Sequence, residues 1–292
     1  SLCSAQHVSG HPTRMDRPTY SGGSALMRIA WLWAVLLAAL VCMGVFAPFL
    51  APHDPMEIEP ANQFAPPGSE YALGTDYMGR DVLSRMLWGT RHSLASAALA
   101  TGLAVGLGLF LGGVAGTFGG AFDWVLMRLV DVLLAFPGML LAIAFVSILG
   151  VGGWQVALAV GLSLAPPYAR FVRAATLGTR QQLYVEAALA LGATEWRLLW
   201  SHVLPNVASQ AVAFAVVVFS WSLLNIASLD FLGLGASPSF PTWGNMLSEG
   251  RVYLRVAPWL ALVPGVLLAL TVIAVTELSD SWRRNLAGLP PL

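Results

Sequence analysis

The chain has 292 residues, 57% of them hydrophobic and only 10% charged, with no net charge at pH 7. A soluble domain carries about 25% charged residues, so these figures and a mean hydropathy of +0.71 exclude an ordinary soluble protein and indicate an all-α integral membrane protein. The balanced charge gives no electrostatic footprint for nucleic acid. All 15 residues counted as Lys or Arg are Arg, which excludes a phosphate-binding loop built on the Walker lysine.

Residues 1–28 are rich in Gly, Ser and Pro and read as a flexible tail, with Met15 and Met27 both expected as translation starts. Ile29–Leu50 is an uncharged run of 22 residues, enough to cross a hydrocarbon core about 30 Å thick and longer than the apolar region of a signal peptide. Residues 51–92 form a long outer loop. Its first part is Pro-rich and extended. His53, Asp54, Glu57 and Glu59 lack any known metal-ligand spacing and read as a solvated segment. In the second part, Val82, Leu83, Met86 and Leu87 make an apolar stripe beside Arg80, Asp81, Ser84 and Arg85, which predicts a short amphipathic helix on the membrane surface.

A five-helix core is expected over 93–282. Ser93–Phe118 is the second span, and its Gly108, Gly112 and Gly116 share one face, for packing within the subunit or against a second one. Trp124–Leu149 is the third, with Pro137 as a bend point. Near its start Arg128 and Asp131, three apart, suit a structural ion pair, with a role in gating as the alternative. Trp154–Ala169 is a short fourth span ending at Pro166-Pro167. Val207–Leu229 is the fifth, where Ser222, Asn225 and Ser228 either line a translocation path or bond to neighbouring helices. Between spans five and six, residues 231–251 are expected to form a turning, non-helical outer loop. Val256–Thr276 is the sixth span, and 283–292 a short tail. With the N-terminus inside, ten Arg fall on the inner side and five on the outer, so the positive-inside rule gives both ends in the cytoplasm. Cys3 and Cys42 are too few and too far apart for a disulfide framework.

Residues 186–205, EAALALGATEWRLLWSHVLP, are a polar island between apolar runs. Ala187 and Ala188 admit a close partner surface, Glu186 offers a charge to it, and Gly192 allows a backbone reversal. Thr194 suits the N-cap of a second short helix with Glu195 in its first turn, and Pro205 suits the start of the next helix. Glu186-Ala187-Ala188, then Gly192, then Leu204-Pro205 resembles the EAA loop of ABC-importer permeases, here about 173–205. The blocks LGTDYMGRDVLSRMLWGTRHSL at 73–94 and FLGLGASPSFPTWGNMLSEGR at 231–251 resemble the dipeptide/oligopeptide/nickel importer subfamily, in its C-type permease subunit. One departure is Ser279-Asp280, where that subfamily usually has Gly-Asp.

The resemblance implies a type I ABC-importer permease fold with six transmembrane helices in a prokaryotic plasma (inner) membrane. It implies a heterodimer with a second permease subunit, two ABC ATPase subunits docked on the EAA loop, and an extracytoplasmic solute-binding protein. ATP and Mg would sit on the ATPase subunits, with no cofactor in this chain. The implied activity is import of di- or oligopeptides by alternating access, with a nickel chelate or other peptide-like solute as the alternative. An ion-coupled secondary transporter would need inverted repeats and carboxylates at mid-depth, and a membrane enzyme a nucleophile–base constellation. The sequence displays none of these.

Overall fold

A computed structural model describes residues 23–235, 237 and 240–287. Residues 1–22 and 288–292 of the two expected tails lie outside these residues. Regular structure among the described residues is helical, apart from one isolated antiparallel bridge between Thr75 and Asp81. In chain order the α-helices are α1 (Gly23–Val45), α2 (Ala47–Leu50), α3 (Val82–Phe118), α4 (Gly120–Leu134), α5 (Gly138–Leu149), α6 (Gly153–Arg180), α7 (Leu183–Ala190), α8 (Glu195–Leu198), α9 (Leu204–Phe231), α10 (Trp243–Gly250) and α11 (Trp259–Ala287). Val82–Phe118, the continuous run Glu195–Phe231 and Trp259–Trp282 are long and apolar enough to cross a membrane. The bent pair α4–α5 makes a fourth if counted as one span. With α1 and α6, both shorter in apolar length, this arrangement is compatible with six spans.

The frame is the pair α3–α6. The glycine stripe of α3 faces α6 within the same chain. A Cβ at Gly108 would fall 2.6 Å from Tyr168, at Gly112 2.3 Å from the Ala169 carbonyl oxygen, and at Gly116 2.6 Å from Thr176. The two backbones therefore approach more closely than any side chain at these positions would allow. From the other side, Gly161 of α6 lies against the Ala100 carbonyl of α3. Tyr168 is fully buried and donates from its hydroxyl to Ala211 O of α9 at 2.7 Å, with Phe214 stacked on its ring at 5.5 Å. The core thus lies where α3, α6 and α9 meet.

Several sequence expectations are corrected. The bend expected at Pro137 is present but is a full break rather than a kink in one span: α4 and α5 meet at 96°, with Pro137 interrupting the backbone ladder between Leu134 and Gly138. The fourth span does not end at Pro166-Pro167; α6 runs through both to Arg180. An interior proline costs about 3 kcal/mol in an isolated helix, but here the prolines sit within the buried α3-facing stretch, whose packing offsets it. The expected surface helix is instead the first turns of α3, which is continuous from Val82 to Phe118. Asp81 caps it, accepting from Leu83 N and Ser84 N. The polar side of that segment is buried, with Arg80 4%, Asp81 3% and Arg85 1% exposed. The loop 231–251 contains a true helix, α10, capped by Thr242 and anchored by fully buried Trp243. Ser279, at the departure from the subfamily pattern, is buried in α11 and donates to Ala213 O of α9 at 3.0 Å. The final helix is therefore tied to the core there.

Candidate coupling loop and the outer face of the bundle

The segment after α6 is a helix–turn–helix. Helix α7 ends in a Schellman motif: Ala193 N donates to Ala188 O at 3.1 Å and Gly192 N to Leu189 O at 2.9 Å. That geometry needs a left-handed residue between the two bonds, and Gly192 has φ +84°. A side chain there would meet nothing within 4 Å, so glycine is required by the backbone and not by crowding. Thr194 then caps α8, its hydroxyl accepting from Arg197 N at 3.4 Å. Leu199–Val203 forms a π turn, with Leu204 N reaching back to Leu199 O. Leu204 and Pro205 open α9 directly after it, and the wider turn accommodates a proline that has no N–H to give. The second arm and the fifth span are therefore one continuous helical run, not a short helix followed by a separate span.

The loop turns an exposed face outward while holding on by a buried one. Val185, Leu198, Leu199 and Val203 are buried, and Ala188 packs on the core. Glu186 and Ala187 are exposed, as are Leu183 (82%), Leu191 (89%) and Trp200 (64%). The Glu186 carboxylate makes no ion pair or hydrogen bond among the described residues. Trp196 of α8 meets Phe118, the last residue of α3, edge to face at 4.9 Å. Arg180 at the end of α6 pairs with Glu195 of α8 at 3.3 Å. The loop is thus braced against both members of the frame, and its sequence signals did not disclose these two contacts.

The ion pair expected between Arg128 and Asp131 is not formed. Asp131 pairs with Arg170, and Asp123 takes a two-toothed grip from Arg173. Helix α6 packs alongside α4, so guanidinium groups arriving from another helix outcompete a neighbour three residues away. Of the three polar residues in the fifth span, Ser222 is buried and accepts from Thr101 of α3 at 3.2 Å. Asn225 donates to Trp221 O and Ser228 to Leu224 O, each within its own helix. The two remain half-exposed, while Ser222 serves packing.

At the opposite end of the bundle lies a charge cluster that sequence reading missed. Asp76 Oδ2 accepts from Arg80 Nε and Arg85 Nη1 at 2.7 Å each, and its Oδ1 accepts from Met78 N and Arg80 N. Glu249 Oε2, on α10, accepts from Arg85 Nη2 at 2.9 Å and Arg80 Nη2 at 3.2 Å. Two carboxylates and two guanidinium groups thus neutralise one another and tie residues 76–85 to α10. Burial raises the Glu249 carboxyl above its ordinary value, against the pull of Arg85 and Arg80. Beside the cluster, Asp81 Oδ2 accepts from Ser84 Oγ, Ser84 Oγ accepts from His53 N, and His53 Nδ1 lies 3.4 Å from Asp81. Glu59 accepts from Tyr71 and Asn62, and Asp54 from Met56 N. These carboxylates are committed to loop structure. The only sequence signal for the cluster was four charges crowded into 76–85 beside an apolar run.

The described residues thus form a helical bundle with three helices long and apolar enough to cross a membrane and an exposed helix–turn–helix braced to its frame at one end. The chain belongs to the family described as binding-protein-dependent transport system inner membrane component, whose model matches residues 104–287. A second model, the N-terminal TM domain of oligopeptide transport permease C, matches residues 28–67. The chain is 41% identical over 247 residues to the glutathione transport system permease protein GsiD of Pectobacterium atrosepticum, covering 84% of this chain and 81% of that protein. It is 40% identical over 251 residues to GsiD of Escherichia coli O6:K15:H31, covering 86% and 83%. It is 42% identical over 248 residues to GsiD of Salmonella paratyphi A, covering 84% and 81%. The protein is therefore a permease subunit of an ABC importer in a bacterial inner membrane, of the dipeptide/oligopeptide C-type subfamily.

Proposed function

We propose that the chain forms one half of a heterodimeric translocation pathway for a peptide-like solute. An extracytoplasmic binding protein delivers the solute, and two ATPase subunits on the cytoplasmic side drive the cycle. ATP and Mg are handled by those subunits, since this chain has no Walker lysine. Both chain ends lie inside, which puts residues 186–205 in the cytoplasm. The relatives named for glutathione and the matching family model named for oligopeptide transport favour a peptide-like solute over a nickel chelate.

The observation that carries this reading is the exposed face of α7–α8. Unpaired Glu186 and exposed Leu183, Leu191 and Trp200 present charge and apolar area together, on a loop fixed to α3 and α6. In the proposed cycle, ATP binding closes the ATPase dimer and moves this loop. The pathway then turns from inward- to outward-facing, because ATP binds one global state better than the other. The test is Glu186→Arg, assayed by co-purification of the ATPase subunits and by ATP-driven uptake in vesicles. Glu186 is proposed to meet a cationic surface on the ATPase, so the arginine puts like charges together at a desolvated contact, at a cost of several kcal/mol, and both are expected to be lost while the subunit remains in the membrane. Retention of both at wild-type levels would remove 186–205 as the coupling site.

A further inference from the structure

Helix α4 is held to the bundle on one side and bare on the other. Val130 is buried, and Asp123 and Asp131 are tied to Arg173 and Arg170 of α6. On the free side Phe122, Val125, Leu129 and Val132 are 65, 56, 58 and 55% exposed. Their spacing is three, four, three. Residues repeating in this way average about 3.5 per turn and line one seam of a helix, as the a and d positions of a heptad do. The seam spans roughly 15 Å of helix axis. It is the spacing by which a helix receives one other helix, whereas contact with lipid tails imposes no such period.

Arg128 flanks this seam. With Phe122 and Leu129 at a, it falls at g, the register in which paired helices place interhelical charges. It is exposed, and its guanidinium makes no ion pair or hydrogen bond among the described residues. Asp123 and Asp131 are neutralised by Arg173 and Arg170, so Arg128 is the charge left over on this helix. Neither lipid nor water suits such a face. Hydrocarbon accepts the four apolar side chains, but an unpaired guanidinium among them is costly. Water accepts the charge and leaves a continuous apolar row exposed. A protein surface with an apolar ridge and one carboxylate satisfies both at once.

We propose that this face of α4 receives one helix of the second permease subunit, which packs apolar side chains along the seam and sets a carboxylate opposite Arg128. The inference rests on the heterodimer proposed above and adds where this subunit meets its partner and by what chemistry. One end of the seam adjoins the candidate coupling loop. The Phe122 and Phe118 rings lie 6.1 Å apart, and Phe118 meets Trp196 of α8 at 4.9 Å. The joint between the two permeases thus begins one aromatic contact away from the loop that the ATPase is proposed to move.

The experiment uses the complete transporter in its native membrane, with photoreactive benzoylphenylalanine in place of Leu129. Irradiation is expected to cross-link this chain to the second permease subunit, identified by mass spectrometry of the product. Arg128→Glu in the same chain sets like charges face to face and should cut that yield by about tenfold or more, whereas Arg128→Lys should keep most of it. A cross-link to an ATPase subunit, to the binding protein or to lipid alone overturns the proposal, as does a yield unchanged by Arg128→Glu. The target of the cross-link is read with Arg128 intact, so it decides the matter even where Arg128→Glu fails to assemble. Co-purification of the second permease with the tagged wild-type chain separates the two levels. Co-purification with cross-linking to lipid alone refutes the seam and leaves the heterodimer standing, whereas absence of co-purification refutes the two together.

Discussion

Asparagine at position 76 tests whether the outer charge cluster holds the fold. Asp76→Asn keeps one oxygen for Met78 N and Arg80 N. It turns the other, which accepts from Arg80 Nε and Arg85 Nη1 at 2.7 Å, into a donor facing donors. Two charge-assisted bonds are lost, and two guanidinium groups are left facing Glu249 alone. The side chains of Asp76, Arg80 and Arg85 are no more than 5% exposed, so water does little to screen the excess charge. Removing one partner of a buried pair costs about 3–5 kcal/mol. At about 2–4 °C per kcal/mol for a chain near this size, the midpoint of thermal unfolding should fall by roughly 10 °C. The assay is the temperature at which the detergent-purified transporter loses its monodisperse elution peak. Asp123→Asn is the comparison, because its Arg173 pair is partly exposed and should cost less than the buried cluster. Adding Arg85→Gln to Asp76→Asn should recover part of the loss, since the two residues share one network. A midpoint for Asp76→Asn within about 2 °C of wild type, equivalent to under 1 kcal/mol, would refute the view that the cluster is a structural tie.

Three further outcomes follow from the same geometry. The Glu249 carboxyl titrates above the ordinary 4.5, so the folded state holds that proton more tightly than the unfolded chain does. Its contribution is present below pH 4.5 and is lost as pH rises through the raised value. The stability of Glu249→Gln relative to wild type should therefore increase with pH across that window, as read from unfolding midpoints at a series of pH values; a flat or opposite trend would contradict the burial argument. Gly112→Ala should destabilise by about 1–3 kcal/mol, because its Cβ would lie 2.3 Å from Ala169 O, whereas Gly102→Ala, with nothing within 4 Å, should be neutral or mildly stabilising. Gly192→Val should uncouple uptake while Gly192→Asn retains most of it, since the space is open and only the left-handed backbone, worth about 1–2 kcal/mol, resists a side chain; equal uptake by all three would refute the backbone requirement.

The parts of this protein legible in the sequence are those whose determinants are local or periodic. Uncharged runs announced the long helices, and the bend at Pro137 was visible as a proline. The reversal at Gly192 was legible because a Schellman motif is closed by bonds between residues 188–193. The cap at Thr194 was legible because it acts only three residues away. Helix ends were read less well. Pro166-Pro167 looked like a terminus, yet burial against α3 carries the helix on for a further thirteen residues to Arg180. No local propensity reports that burial. Likewise Arg128 and Asp131 had the right spacing, but spacing gives only what is possible within one helix. Arg170 and Arg173 arrive from a second helix that the pattern did not align.

The outer cluster was illegible for the same physical reason. Arg85 and Glu249 are separated by 164 positions, and nothing in either neighbourhood encodes the other. The two ends of the bundle are therefore specified differently: short-range rules and exposed residues at the candidate coupling loop, long-range pairing and burial at the outer face. Between them, α3 and α6 are locked by Gly108, Gly112 and Gly116 against Tyr168, Ala169 and Thr176. With no side chain at these positions the two backbones lie in close contact, and packing this dense resists relative displacement of the pair. In the proposed cycle, a displacement at α7–α8, braced to Phe118 and Arg180, would be passed along this packed pair. The backbone departs from regular helix at the 96° break before Gly138 and at the π turn over 199–203. Breaks of this kind are where helices commonly bend.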